Sequence, residues 1–298
     1  MININLLNTK IYDWWKNIDK VIFLLISLLL LLGIFFSLVS TSLIASTKLG
    51  TNSYYFFLRH FVFIIAGILL ILIFSALEEK DLFKISNLLL MVFLISLILV
   101  PIYGVEVKGS KRWLEIAFLP RFQPVEFIKP FLIIALSLII SSNKYNNINF
   151  KFFLSFLLVS PIIFLLIIQP DVGQTLLISL IWLSLIFISG INLYVFSLFI
   201  ISSICILTTA IIFFPKFSYI KSRVVSFFDL SSSSNYQSEK ASEAIISGGF
   251  FGKGIGEGTL NVRVPEAHTD YVISIISEEF GILFVLLIML LFLTLTFR

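Results

Sequence analysis

Eight apolar stretches, each long enough or nearly long enough to cross a bilayer, leave this chain few folds other than a bundle of membrane helices. They run over residues 21–45, 61–77, 83–103, 125–140, 152–169, 172–189, 193–214 and 271–297. A hydrocarbon core of about 30 Å needs about 20 apolar residues per helix. No water is present there to take up backbone hydrogen bonds, so each stretch must satisfy its own. Composition agrees: with 298 residues, 59% hydrophobic and 13% charged, the chain carries more apolar surface than a soluble domain of its length buries. The first stretch exceeds the roughly 7 to 15 residues of a signal-peptide core and has no small-residue cleavage site, so it is expected to remain as a helix. The expectation is an all-α polytopic membrane protein with eight transmembrane helices and a large loop, 215–270, between helices 7 and 8. Cys205, the single cysteine, falls in the seventh stretch as a small core or lipid-facing residue, and no disulfide can form within the chain.

Residues 1–20 hold Lys10, Lys16 and Lys20 beside Trp14 and Trp15, which reads as a cytoplasmic arm with an aromatic interfacial anchor. The loops at 46–60, 104–124 and 215–270 then fall outside, and those at 78–82 and 141–151 inside. On that topology twelve Lys and Arg lie outside and eight inside, with Lys129 within a helix, against the usual bias. Either the orientation is inverted or the outer cations serve an anionic ligand, and the second reading is preferred. No part of the chain has the basic, aromatic-interleaved pattern of a nucleic-acid surface.

Ionisable groups at membrane depth are costly and usually mark a site. Glu266, His268, Asp270, Glu278 and Glu279 cluster around the entry to the last apolar stretch, with Thr269 between the first three. Lys111 and Arg112 beside Trp113 can grip phosphate or belong to a loop that Trp113 anchors at the headgroups. Gln123 and Pro124 open the next helix, and Glu126 and Lys129, three residues apart on one face, are expected to pair in a polar cavity. Pro170 and Asp171 break a run of nearly forty apolar residues, with Asp171 as the cap of the following helix. The glycine-rich segment from Gly248 to Gly258 is no Walker loop, because Gly254 follows Lys253 and no strand precedes it. Its glycines allow tight bends whose amides can line an anion-binding nest, and the serine run at 231–234 reads as a flexible linker.

Taken in order, these strings resemble the SEDS family of shape, elongation, division and sporulation proteins, in wording nearest its division branch. The strings are Gly109-Ser110-Lys111-Arg112-Trp113-Leu114, Gln123-Pro124-Val125-Glu126-Phe127-Ile128-Lys129, Gln169-Pro170-Asp171-Val172-Gly173, Tyr236-Gln237 with Ala244-Ile245, the glycine loop, and Pro265-Glu266-Ala267-His268-Thr269-Asp270-Tyr271 with Glu278-Glu279-Phe280-Gly281. Val125 stands where Ser is commoner, and Lys253 and Glu257 add charge to the glycine loop.

The resemblance implies a SEDS-type helical bundle over 21–298, the family usually having ten spans, of which the last two are expected to be missing from this sequence after Arg298. It implies a peptidoglycan glycosyltransferase of the cytoplasmic membrane, working at the division septum on lipid II with its site on the outer face. Asp270 would be the general base, with Glu126 and Lys129 lining the cavity. Lys111, Arg112, Trp113, Gln123, Asp171, Glu266, His268 and Thr269 are the expected substrate contacts, His268 either orienting Asp270 or serving as an interfacial hydrogen-bonder. No cofactor is required, although a divalent cation, Mg or Mn, could assist the leaving diphosphate. Expected partners are a class B penicillin-binding protein transpeptidase, other division proteins and membrane lipids. A lipid II transporter (flippase) and a non-catalytic division scaffold are the competing readings.

Overall fold

The computed structural model describes residues 12–48, 54–107, 110–115, 120–143, 147–213, 236–260, 264 and 271–298. In chain order the elements are α1 (Lys20–Lys48), α2 (Tyr55–Ser75), α3 (Glu79–Tyr103), β1 (Val105–Val107), β2 (Ser110–Trp113), α4 (Pro124–Ser141), α5 (Ile148–Ile168), α6 (Val172–Ile188), α7 (Leu193–Phe213), α8 (Tyr236–Gly248), α9 (Val272–Phe280) and α10 (Ile282–Phe297). Among the described residues five helices are long and apolar enough to cross a membrane: Lys20–Val39, Phe57–Ser75, Glu79–Tyr103, Pro124–Ser141 and Ile148–Ile168. Shorter apolar helices follow at Val172–Ile188, Leu193–Cys205 and Ile282–Phe297. The molecule is a multi-pass helical membrane protein, and Cys205 is exposed on its helix, the lipid-facing alternative. The chain divides into two compact units, Leu77–Val225 and the combination of Met1–Ala76 with Ser226–Arg298.

In the unit Leu77–Val225, α4 is the centre, with Val125, Ile128, Leu132, Ala135 and Leu136 buried in one stripe of 3- and 4-residue spacing. Against it pack Leu90 and Leu97 of α3, Val159, Ile162 and Leu166 of α5, and Ile178, Trp182 and Ile186 of α6. Polarity does not separate lipid-facing from protein-facing sides on these helices. The inner sides are mostly large aliphatic residues with two fully buried serines among them, in keeping with close packing of helices in lipid. Ser86 and Ser155 are fully buried, and Ser155 Oγ accepts from Trp182 Nε1 at 3.0 Å.

The all-α expectation needs one correction, since the segment read as an irregular loop after α3 contains an antiparallel hairpin. Val105 pairs with Trp113, Glu106 with Lys111 and Val107 with Ser110, and a Leu114–Phe122 bridge extends it. Three- and four-residue strands are too short for a period of two to register in sequence.

In the unit formed by Met1–Ala76 and Ser226–Arg298, α1 packs on α2 and on the α9–α10 pair. Phe36 sits edge-on to Phe280 and Phe284, with centroids 5.4 and 5.6 Å away. Several helix ends meet at one level. Asp19 caps α1 by accepting from Val21 and Ile22 N–H. It also accepts from Arg298 Nε at 3.0 Å, while Trp14 Nε1 donates to Ser75 Oγ and Lys20 lies over the Trp15 ring. This Trp, Lys and Arg belt is the composition of a membrane–water boundary.

The stretch 271–297 is not one span. It divides into α9 and α10 at Gly281, whose φ is +86°. A side chain there would sit 2.2 Å from Phe250 O. The glycine segment docks against the break and satisfies both helix ends. Lys253 and Gly254 N–H donate to Glu278 O and Glu279 O at the end of α9, and Gly249 O and Phe250 O accept from Ile282 and Leu283 N–H at the start of α10.

Candidate functional site

Of the residues singled out by sequence in the unit Leu77–Val225, Arg112, Gln123, Glu126, Lys129 and Asp171 lie along one polar strip where the hairpin meets the starts of α4 and α6. Pro124 occupies the first turn of α4, which leaves Gln123 extended ahead of it and aims its amide at the α5–α6 turn. Gln123 Nε2 donates to Asp171 Oδ2 at 2.9 Å. Asp171 is buried, caps α6 by accepting from Gln174 N–H, and faces Arg112 Nε at 3.8 Å. Arg112 Nη2 donates to Pro170 O at 2.7 Å, tying β2 to the same turn. One turn into α6, Gln174 Nε2 donates to Glu126 Oε1 at 2.6 Å, and Lys129 Nζ reaches Glu126 Oε2 at 2.7 Å.

The expected Glu126–Lys129 pair is therefore present, but as the end of a chain running Lys129, Glu126, Gln174, Asp171, Gln123 and Arg112. Two cations face two carboxylates, so the strip neutralises itself, as charges at membrane depth must. Two buried polar atoms in it, Arg112 Nε and Gln174 Oε1, have no hydrogen-bond partner among the described residues. Arg112 turns its donors on the chain's own turn, whereas Lys111 is exposed on the strand beside it and Trp113 is half-buried opposite Val105.

Sequence reasoning missed Gln174, the link between the two carboxylates. Its available signal was a side-chain amide in the first turn of an otherwise apolar helix. Gln169 was also left without a role; it is buried and donates to Leu97 O at 3.2 Å, fastening the end of α5 to α3.

Lys253 of the glycine loop and the two residues after the loop hold an anion that belongs to the chain itself, Glu278, fully buried on α9. Glu278 Oε1 accepts from Lys253 Nζ at 3.0 Å, Thr259 N–H at 3.0 Å and Leu260 N–H at 3.1 Å. The amides of residues 253 and 254 are taken by helix carbonyls, so this nest has no free donors for a diphosphate at those positions. Gly252, at φ +80°, permits the approach, since a side chain there would meet Glu279 O at 2.2 Å.

Glu266, His268, Thr269 and Asp270 lie outside the described residues, as does the serine run. Among the described residues no three His, Cys, Asp or Glu side chains converge as a metal ion requires. Glu126 and Asp171 are each engaged by Lys, Arg or Gln donors, so the strip does not fit a divalent cation.

Apolar helices of membrane length, with a polar strip in one unit and a helix broken and re-capped by a glycine loop in the other, define a multi-pass helical membrane protein. The FtsW/RodA/SpoVE family, described as cell cycle proteins, matches residues 19–298. The Caulobacter vibrioides protein named "Probable peptidoglycan glycosyltransferase FtsW" is 31% identical over 277 residues, covering 91% of this chain and 68% of that protein. Among solved structures, a chain from work on the structural coordination of polymerization and crosslinking by a peptidoglycan synthase complex superposes with a TM-score of 0.71 at 22% identity, over 94% of this chain and 76% of that one. The Thermus thermophilus rod shape determining protein RodA superposes at 0.60, also at 22% identity, over 94% and 73%. The chain belongs to the FtsW/RodA/SpoVE family. It spans about two thirds of the length of curated relatives such as the Caulobacter protein.

Proposed function

We propose that this protein is a peptidoglycan glycosyltransferase that polymerises lipid II during septal wall synthesis. The observation that carries the reading is the near full-length similarity, residues 19–298, to a family whose relatives bear that activity in their names. In the proposed reaction Asp270 takes the proton from the 4-hydroxyl of the acceptor GlcNAc as that oxygen attacks the anomeric carbon of the donor MurNAc. Undecaprenyl diphosphate departs, and its growing charge calls for fixed cations. Lys111, exposed on the hairpin, suits that role better than Arg112, which is held by Pro170 and Asp171. The strip from Lys129 to Arg112 keeps the starts of α4 and α6 in fixed relation beside it.

The site is assigned to the outer face of the cytoplasmic membrane, with the N-terminal arm inside and the 215–270 loop outside. A class B penicillin-binding protein is the proposed partner, in keeping with the synthase complex whose chain shares this fold. Glu266, His268 and Thr269 flank the base in sequence and are the proposed substrate contacts beside it.

The test is polymerisation of lipid II by the protein in lipid nanodiscs, with Asp270→Asn beside the parent. Loss of a general base lowers the rate by about 10² to 10⁴, with membrane insertion and folding unchanged. Polymerisation by the variant within a few-fold of an active parent would remove Asp270 from the mechanism. Passage of lipid II across vesicle membranes without polymerisation would favour a transporter, and neither activity a scaffold.

A further inference from the structure

We infer that the glycine loop is an interfacial membrane element, inserted into the bilayer leaflet at which α10 begins, rather than part of a water-exposed loop. Three independent observations converge on this placement. The first is its surface. Ile246, Phe250, Phe251 and Ile255 are 78%, 69%, 84% and 62% exposed, four large apolar side chains within ten residues of a region that sequence assigns to water. Concentrated exposed apolar surface of this kind marks an interaction site.

The second is depth. α10 has 16 residues, about 24 Å of helix at about 1.5 Å per residue. Its far end is fixed at the boundary belt by the Arg298–Asp19 contact, beside Trp14, Trp15 and Lys20. A hydrocarbon core of about 30 Å therefore extends about 6 Å beyond the start of α10, and tilt increases the shortfall. The glycine segment sits at that start, because Gly249 O and Phe250 O accept from Ile282 and Leu283 N–H. Its apolar side chains thus continue the lipid-facing surface that Leu283, Leu286, Leu287 and Leu290 present on α10.

The third is hydrogen bonding. Non-helical backbone is tolerated at membrane depth where its polar groups are satisfied within the protein. Gly249, Gly252, Lys253, Gly254 and Glu257 N–H donate to carbonyls, and Thr259 and Leu260 N–H donate to the buried Glu278 carboxylate. The Phe250, Phe251, Ile255 and Gly256 amides have no partner among the described residues, and Lys253 and Glu257 are exposed, a mixture that suits the interface and not the hydrocarbon centre. The charges of α8 lie at its other end, where Glu239 is exposed and Lys240 pairs with Glu243 at 2.7 Å. The chain from Tyr236 to Phe251 thus grades from water-compatible to lipid-compatible.

The test is nitroxide accessibility in the full chain, in nanodiscs, on a Cys205→Ser background. Labels at Phe251→Cys and Ile255→Cys are compared with one at Glu239→Cys; all three side chains are exposed, so the substitutions spare the core. The ratio of relaxation by oxygen to relaxation by a nickel chelate is expected to rise several-fold at 251 and 255 over 239. A ratio at 251 and 255 equal to that at 239 places the loop in water and overturns the inference. Labels that neither reagent reaches indicate a protein partner over the patch, and overturn it equally. Each result stands whether or not the protein polymerises lipid II.

Discussion

Replacing Glu278 provides the sharpest test of how the glycine loop is held. The side chain is fully buried and its Oε1 receives Lys253 Nζ and the Thr259 and Leu260 N–H groups. Glu278→Ala leaves two amide donors and one ammonium without an acceptor. An orphaned N–H costs about 1 to 3 kcal/mol when fully buried, and the lower half of that range applies to most of the loss here because Thr259 is exposed and Leu260 half-buried. Lys253 is about one third exposed, so water recovers much of its loss and it adds at most about 1 kcal/mol. The expected destabilisation is about 3 to 5 kcal/mol, in the range found when one partner of a buried ion pair is removed. Glu278→Gln keeps an oxygen for the two amides and gives up the charge, so about 1 to 2 kcal/mol is expected. Unfolding in micelles, followed by loss of the monodisperse peak on heating or by titration with denaturing detergent, reads the order parent, Gln, Ala. Adding Lys253→Met to Glu278→Gln should cost less than the two single changes together. Equal losses for Gln and Ala, or strict additivity with Lys253→Met, would refute the account.

The Glu126–Lys129 pair should behave likewise, each single change to Ala being worse than the double, because a lone charge at membrane depth is left uncompensated; additive thermal shifts would contradict this. Gly249→Ala meets no atom within 4 Å but has φ +58°, so a loss of about 1 to 2 kcal/mol is expected. Gly252→Ala adds contact with Glu279 O and should lose clearly more in the same unfolding assay. The carboxyl of Asp19 is held below the usual carboxylate range, first by the Ile22 N–H, then, against the opposing effect of desolvation, by the Val21 N–H and Arg298. Its stabilisation is therefore complete above the ordinary carboxylate pKa, about 4, and is lost as pH falls through the depressed folded value. Asp19→Asn should unfold earlier than the parent at neutral pH, and the two should converge in acid.

The apolar helices were readable because they rest on local chemistry: apolar runs of membrane length, Pro124 in a first turn, Asp171 as a cap; α8, Tyr236–Gly248, was not, because it is polar and lies in the segment read as a loop. The interruption at Gly281 was not, since a glycine inside an apolar run signals nothing until a segment thirty residues earlier docks on it. Sequence allowed an anion nest at the glycine loop but did not show that Glu278 supplies an anion from the chain itself. Glu278, a carboxylate in an apolar stretch, needed donors that sequence distance concealed. Glu126 and Lys129 were legible as a pair because three residues on one helix bring them together, whereas Gln174 joins them to Asp171 across two helices. The neighbourhood of Asp270 lies outside the described residues, so its role stands on motif and chemistry.

The buried serines of the unit Leu77–Val225 carry a lesson about which changes this protein tolerates over evolutionary time. With both lipid and core sides apolar, exchanging one hydrophobic residue for another on the outer surface alters almost nothing, and drift there should be rapid. Ser86 and Ser155 are fully buried points where added bulk has no room, and Ser155 must in addition keep an acceptor for Trp182 Nε1. The record of selection in this unit should therefore be written in residue volume, with small side chains held constant while the large ones around them vary freely.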